Sequence, residues 1–358
     1  LYYDYPEWAN PAATFVLNSI YDNGTQNMPE DEFKQYEEEN NIGVSQCVST
    51  KSLNLVGTSA DIDFDKAFKL SKDLLYSPNI TEKEVNKAIQ DIRDSLGRLK
   101  DTSGAVFNNY ESKNDRYRIS KQEILDGLDT ITVEDVKKLH NYIINNSYGS
   151  IAMNYSKENN SKEQYVNTFS QLRQVQPFEY KVKNVYKDNL NPVVNTKSTN
   201  NSQADILQTY KYKISQTPKE IATLDILNTL LSSSSSIGLF NTLREKEHLA
   251  YSVSSDYSHN EDCGYLSCNI LTTTDDKNDS EKSYDNVQKS INGFHRQINC
   301  LLNSEYTDED FESAKRKLKA ELLNSEGVSS KLGRITGGIH SEFGINRINE
   351  IYNEIDNI

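Results

Sequence analysis

The chain has 358 residues, of which 35% are hydrophobic and 26% are charged. This balance predicts a soluble globular protein of about two domains, and no apolar run reaches the roughly 18 residues of a membrane span. The formal net charge of -14 would repel nucleic acid and anionic membranes, so neither is an expected partner, and it would favour basic or neutral ligands.

The four cysteines form no CxxC pair, so we expect reduced thiols rather than a disulfide framework. The first residues, LYYDYPEWAN, lack the basic and apolar regions of a signal peptide. These features favour the cytoplasm, although the sequence does not fix the compartment. The missing initiator Met suggests a fragment or a processed product.

The first predicted module covers residues 1–163. Its segment from Leu53 to Leu96 predicts a strand, a helix, a turn and a second helix from its apolar spacing and its Ser-Pro-Asn break. Thr81 and Glu84 predict a capping box at the start of the second helix.

Residues 164–200 predict an inter-domain linker. They are polar and rich in asparagine, and they contain Pro177 and Pro192.

The second predicted module covers residues 201–358 and repeats the order of the first. A strand, ADILQTYKYKI, is followed by a helix capped at Thr217, a tight serine loop, a strand around Cys268 and two further helices, the last capped at Thr307. The repetition predicts an α+β fold of two tandem homologous modules, each a mostly antiparallel sheet covered by helices.

The stretch FNTLREKEHLAYSV, Phe240 to Val253, predicts a short helix that passes directly into a strand. Leu249, Tyr251 and Val253 alternate with small residues, as along a strand. If the chain turns between helix and strand, the side chains of Arg244 and Tyr251 can reach one point in space. The alternative is a surface arginine and a half-buried strand tyrosine with no shared role.

This stretch resembles the fourth-domain signature of the insulinase/pitrilysin family of zinc metallopeptidases. In that signature a loop of small residues leads to L-F, then L-R-x-K, then L-x-Y, and the match includes the spacing of seven from Arg244 to Tyr251. The family builds a chamber from four homologous α+β domains, arranged as two halves joined by a linker. The resemblance covers nearly the whole chain, as one half, and is stronger over residues 217–325 than over residues 10–100.

The resemblance implies that this half holds no metal and that Arg244 and Tyr251 face the zinc site of the other half. There they would hydrogen-bond the carbonyl of a bound peptide substrate. Attack on the scissile carbonyl puts negative charge on its oxygen, which a tyrosine hydroxyl can stabilise, and arginine offers a rigid fork of donors. The partner would be an N-terminal catalytic half of the same polypeptide or a separate catalytic subunit.

The family's zinc motif, H-x-x-E-H, is absent, because no two of the five histidines lie four residues apart. By resemblance, the segment FVLNSIYDNGT places Phe15, Asn18 and Ser19 at the positions of the two ligands and the base. Asp91 falls near the position of the distal ligand and Glu84 near that of its partner, and we expect both to be solvated carboxylates. We therefore expect no catalytic residue, metal ligand or cofactor in this chain, and zinc in the catalytic half.

A second candidate metal site, at His259, Cys263 and Cys268, has only three potential ligands and no standard spacing, so we expect no metal there. Cys268 lies on an alternating strand face beside Leu266 and Ile270, so we expect it to belong to the core. The glycine-rich segment LGRITGGIHSEFG lacks the Lys-Ser/Thr of a phosphate loop.

The sequence thus predicts a non-catalytic, peptide-enclosing half of an insulinase-family metalloendopeptidase, inactive by itself. One alternative is a structural scaffold subunit of the same fold, which would have no use for an Arg/Tyr pair. The other is a stand-alone peptide-binding module.

Overall fold

The structure is a computed structural model that describes residues 1–98, 102–113, 117–154, 165, 167, 193–196, 202–215, 217–259, 263–274, 285–324, 327, 331–333, 335–336 and 346–358. Most of the predicted linker and of the glycine-rich segment therefore lies outside the described residues. The chain divides into two compact units. The first contains Leu1–Lys100, Asn108–Lys183 and Leu332–His340, and the second Asp101–Phe107, Asn184–Lys331 and Ser341–Ile358. The predicted module boundaries stay a prediction.

The described chain consists of helices and antiparallel strands. Up to residue 146 the elements are α1 (Ala13–Tyr21), β1 (Gly24–Thr25), β2 (Met28–Pro29), α2 (Glu30–Asn40), β3 (Gly43–Val48), β4 (Leu53–Thr58), a 3₁₀ turn (Asp61–Asp63), α3 (Phe64–Tyr76), α4 (Glu82–Arg98), α5 (Ser103–Ser112), α6 (Lys121–Leu128) and α7 (Val133–Asn146). The later elements are β5 (Gln203–Lys213), α8 (Pro218–Ser232), a π-helix (Phe240–Lys246), β6 (Ala250–His259), β7 (Cys263–Thr273), α9 (Asp285–Leu302), α10 (Asp308–Asn324), α11 (Arg347–Glu354) and a 3₁₀ turn (Ile355–Asn357).

All the described strand pairs are antiparallel. In the first unit β1 pairs with β2 and β3 pairs with β4, whereas in the second unit the sheet order is β5-β7-β6. The register of the second sheet places Ile206 of β5 and Val253 of β6 on either side of Ile270 in β7. The predicted α+β class with mostly antiparallel sheets is confirmed.

The core of the first unit forms around α1. Ala13, Val16, Leu17 and Ile20 recur at helical spacing and are almost fully buried, so this face of α1 packs against α4 and α7. Tyr165, which falls in the range predicted as linker, is also buried in this unit, where its ring centroid lies 4.6 Å from that of Phe68 on α3.

The predicted capping box at the start of α4 is only half formed. The Glu84 N–H donates to Thr81 Oγ1 at 3.4 Å, but the Thr81 N–H donates to the carbonyl of Asn79 rather than to the Glu84 carboxylate. Reciprocal boxes form at Ser120, before α6, at Thr132, before α7, and at Thr307, before α10.

The core of the second unit lies between α8 and its neighbours. Thr217 caps α8 by accepting from the Glu220 N–H at 3.2 Å, and Pro218 takes the first helical position. The helix then packs against β6, α10 and α11. Leu230 and Leu231 at its end are fully buried, which fixes the point where the serine loop begins.

Candidate functional site

The Arg/Tyr stretch starts in a π-helix rather than in the ordinary helix predicted from the sequence. The Glu247 N–H donates to the Thr242 carbonyl, five residues back, at 3.0 Å. Leu239 and Leu243 are fully buried beside Phe294 of α9. The wide turn is therefore anchored on its inner face by packing, and π-turns are found frequently at functional sites.

Two glycines allow the π-helix to sit where it does. A Cβ on Gly238 would lie 1.9 Å from the Ser233 carbonyl oxygen, and a Cβ on Gly293 would lie 2.4 Å from Leu243 Cδ2. The first glycine lets the serine loop fold back onto the helix start, and the second lets α9 approach the π-helix.

The turn that follows the π-helix is set at His248, which has a φ of 53°. This left-handed conformation is uncommon for a residue with a Cβ. Buried hydrogen bonds hold the next residue, because the Leu249 N–H donates to the Leu243 carbonyl at 2.9 Å and Thr272 Oγ1 donates to the Leu249 carbonyl at 2.7 Å.

Tyr251 is the extra residue of a β-bulge. Ala250 lies opposite Thr272 and Ser252 lies opposite Leu271, so Tyr251 has no partner in β7. Its side chain is 82% exposed, whereas Leu249 is buried. The predicted alternation of Leu249, Tyr251 and Val253 is therefore wrong at Tyr251, because the bulge turns this side chain away from the core.

The structure brings the side chains of Arg244 and Tyr251 together. The Arg244 guanidinium carbon lies 5.4 Å from the centroid of the Tyr251 ring and 4.5 Å from that of Phe240. Arg244 Nε also lies 3.4 Å from a carboxylate oxygen of Glu245. Among the described residues, neither the guanidinium nor the Tyr251 hydroxyl forms a hydrogen bond. Both groups have donors available for a ligand, although the substrate-binding role of the pair stays a prediction.

A partly exposed ion pair also links the end of the π-helix to α9. Glu247, which follows the last π-helical residue, pairs with Arg296 of α9. Since Gly293 of the same helix contacts Leu243, α9 holds the Arg244 segment through both an apolar and a charged contact.

The residues that stand at the family's zinc-motif positions all lie on α1 in the first unit. Phe15 is 39% exposed, and Ser19 is half-buried. Asn18 has a structural use, because its side-chain oxygen accepts from the Val48 N–H at 2.9 Å and ties α1 to β3. A phenyl ring, an amide and a hydroxyl do not form the imidazole and carboxylate set of a zinc site, so these residues do not fit that metal.

Glu84 corrects one expectation, because it is 5% exposed rather than solvated, whereas Asp91 is exposed. Glu84 lies in the first turn of α4, where the helix dipole favours a carboxylate, and it pairs with Lys83 at 3.2 Å. Across the described ranges no group of three or more metal-ligating side chains occurs.

The second candidate metal site is part of the sheet. Cys263 and Cys268 of β7 are buried, as expected for Cys268, and burial raises the pKa of the Cys268 thiol to about 12. The protonated thiol is therefore the stable form at neutral pH, and it packs beside Ile270 and Phe294 as a small apolar group.

None of the helices in the described part of the chain is long and apolar enough to cross a bilayer.

Comparison with known protein families gives one match. The family model described as Peptidase M16 inactive domain matches residues 130–318. A comparison with curated proteins gives no match.

Solved structures show the same fold at low sequence identity. A protease from Helicobacter pylori superposes with a TM-score of 0.72 at 16% identity, covering 100% of this chain and 87% of that chain. A peptidase M16 inactive domain from Pseudomonas fluorescens gives a TM-score of 0.73 at 12% identity, with 100% and 85% covered. The periplasmic protease PqqL from Escherichia coli gives a TM-score of 0.67 at 14% identity. The match covers 97% of this chain and 38% of that chain.

Proposed function

The chain belongs to the M16 peptidase family as an inactive domain, and from this premise we propose that it encloses a peptide substrate opposite a zinc site carried by a partner. The partner is an N-terminal catalytic half of the same polypeptide or a separate subunit. In this proposal the chain supplies Arg244 and Tyr251 to the peptide carbonyl and performs no chemistry by itself.

The observation that carries the proposal is the convergence of an exposed tyrosine and a half-buried arginine on a rigid support. The Arg244 guanidinium lies over the Tyr251 ring at 5.4 Å, and the Tyr251 side chain is 82% exposed. Their backbones are fixed by buried leucines and by the bulge. A tyrosine turned to solvent by a bulge gains little from packing, which favours a role in binding.

The chemistry of peptide cleavage suits these two groups. When a nucleophile supplied by the catalytic half attacks the scissile carbonyl, its oxygen gains negative charge. The Tyr251 hydroxyl can donate to that oxygen, and the Arg244 guanidinium can donate to it or to the next carbonyl through its planar fork. Preorganised donors of this kind are worth more inside a closed chamber, where water is excluded.

The test is hydrolysis of an internally quenched fluorescent peptide by this chain together with the half that carries H-x-x-E-H. Tyr251→Phe removes one donor to the developing charge and should lower kcat about 10²–10³-fold. Arg244→Ala should lower kcat/KM about 10–150-fold, as expected for the loss of a charged hydrogen bond.

Matched controls are Arg93→Ala and Tyr306→Phe. Arg93 pairs with Asp129 in the first unit. Tyr306 stacks on Phe311, outside the segment Phe240 to Val253. Both should retain full activity. Unchanged hydrolysis in Arg244→Ala and Tyr251→Phe would overturn the proposal in favour of a scaffold subunit. Tight binding of the same peptide by this chain without a partner would favour a stand-alone binding module.

A further inference from the structure

The ring nearest to the Arg244 guanidinium is that of Phe240, not that of Tyr251. The guanidinium carbon is 4.5 Å from the Phe240 centroid and 5.4 Å from the Tyr251 centroid. Both distances are within the range in which a cation is attracted to the face of an aromatic ring. The guanidinium is thus in contact with two rings, one from the π-helix and one from the bulge.

The backbone on both sides of Phe240 is held in place. Leu239 is fully buried, and the Asn241 side-chain amide donates to the Ser235 carbonyl at 3.1 Å. The Thr242 hydroxyl donates to the Gly238 carbonyl at 2.8 Å. The backbone that carries the Phe240 ring is therefore fixed, whereas Arg244 has a long and flexible side chain that is 35% exposed.

The guanidinium has a competing partner in Glu245, whose carboxylate lies 3.4 Å from Arg244 Nε and is 54% exposed. An exposed ion pair of this kind contributes little and does not hold a long side chain in one rotamer. Without the Phe240 ring, the guanidinium would be free to follow Glu245 into solvent, away from Tyr251.

We propose, on the basis of the function proposed above, that Phe240 is a positioning residue whose ring holds the Arg244 guanidinium beside Tyr251, so that both donors meet the same peptide. In this role Phe240 contacts the Arg244 guanidinium rather than the peptide. Its effect passes through Arg244, which determines how it is tested.

The first measurement is hydrolysis of the quenched peptide by the assembled protease carrying Phe240→Leu, Phe240→Met or Phe240→Trp. An exposed cation–aromatic contact corresponds to about a 2–5-fold change in affinity. The leucine and methionine variants should raise KM about 2–5-fold with little change in kcat. The tryptophan variant should keep the native KM, because indole is the strongest partner for a cation.

Phe311→Leu is the matched control. Phe311 also lies four residues before a cation, and Lys315 Nζ is 5.6 Å from its ring centroid, but this pair is on α10 rather than in the stretch. The control should hydrolyse the peptide as the unaltered chain does.

A double-mutant cycle separates positioning from an independent effect. In an Arg244→Ala background, Phe240→Leu should cause no further loss, because the group on which it acts is gone. An equal loss in both backgrounds, or no loss in the unaltered background, would overturn the role of Phe240. If Arg244→Ala itself leaves hydrolysis unchanged, the proposed function has failed and the positioning role fails with it.

An NMR measurement on this chain needs no catalytic half. The Nε–H proton of Arg244, assigned by its loss in Arg244→Lys, should show a ring-current shift that is lost in Phe240→Leu and kept in Phe240→Trp. A resonance that does not move in Phe240→Leu would contradict the contact, and a far-ultraviolet circular dichroism spectrum establishes that each variant is folded.

Discussion

Replacing Gly293 by alanine tests whether close helix packing supports the candidate site. The added Cβ would lie 2.4 Å from Leu243 Cδ2 and 3.2 Å from Cδ1, below the roughly 3.5–4.0 Å at which carbon atoms attract. Leu243 is fully buried, so its side chain has no open space to enter. We expect Gly293→Ala to lower the free energy of unfolding by about 1–3 kcal/mol, the range found for overpacked cores.

The cause of that loss can be isolated with a second substitution. Leu243→Ala alone should cost about 2–5 kcal/mol, because it leaves a cavity. In the double variant the alanine methyl at position 293 enters space that the leucine has vacated. The double variant should therefore lose about 0.5–3 kcal/mol less than the two single losses added together.

Urea unfolding followed by far-ultraviolet circular dichroism measures each free energy. Gly97→Ala is the matched control, since Gly97 is also helical but a Cβ there would have nothing within 4 Å. That variant should gain up to about 1 kcal/mol from helix propensity. Strict additivity of the two site substitutions, or a gain in Gly293→Ala like that in the control, would refute the packing argument.

Two further predictions concern backbone strain and buried charge. His248→Gly should be neutral or stabilising by up to about 1 kcal/mol in urea unfolding, because glycine adopts the φ of 53° without strain. His248→Val should destabilise the chain, because a β-branched residue is strained at this φ. The reverse order of the two variants would contradict the left-handed turn. Burial, with a smaller effect of Glu321, raises the pKa of Asp225 from 3.8 to about 6. The folded state therefore favours the protonated carboxyl, and the stability that Asp225 contributes is full below about pH 4 and is lost as the pH rises through about 6. Asp225→Asn should remove this pH dependence and stabilise the chain at pH 7 by no more than about 3 kcal/mol, and an unchanged pH profile of the urea midpoint would count against it.

The regular elements could be predicted from the sequence because their signals are local. Alternation around Cys268 predicted β7, and the Thr307 cap that predicted the start of α10 is formed, with the Asp310 N–H donating to Thr307 Oγ1 at 3.0 Å. Apolar periodicity and side-chain capping depend on residues a few positions apart, so one sequence is enough to show them.

The seven-residue spacing of Arg244 and Tyr251 was visible in the sequence, but the backbone that brings them together was not. The π-turn and the bulge each insert one residue without a turn-forming signal. The left-handed residue of the connection is a histidine rather than the glycine or asparagine that would indicate such a turn. The buried state of Glu84 was missed for a similar reason, since its surroundings come from tertiary packing.

The two irregularities have related effects on the site. The π-turn changes the angular position of Arg244 relative to the buried leucines, and the bulge turns Tyr251 away from the buried face of β6. A regular helix followed by a regular strand would keep Tyr251 on the face of Leu249, which is buried. Both polar side chains reach solvent because the backbone departs from regularity on each side of His248. Deleting one residue of β6 would remove the bulge. The tyrosine should then be buried and lie away from residue 244, whichever side chain that residue carries.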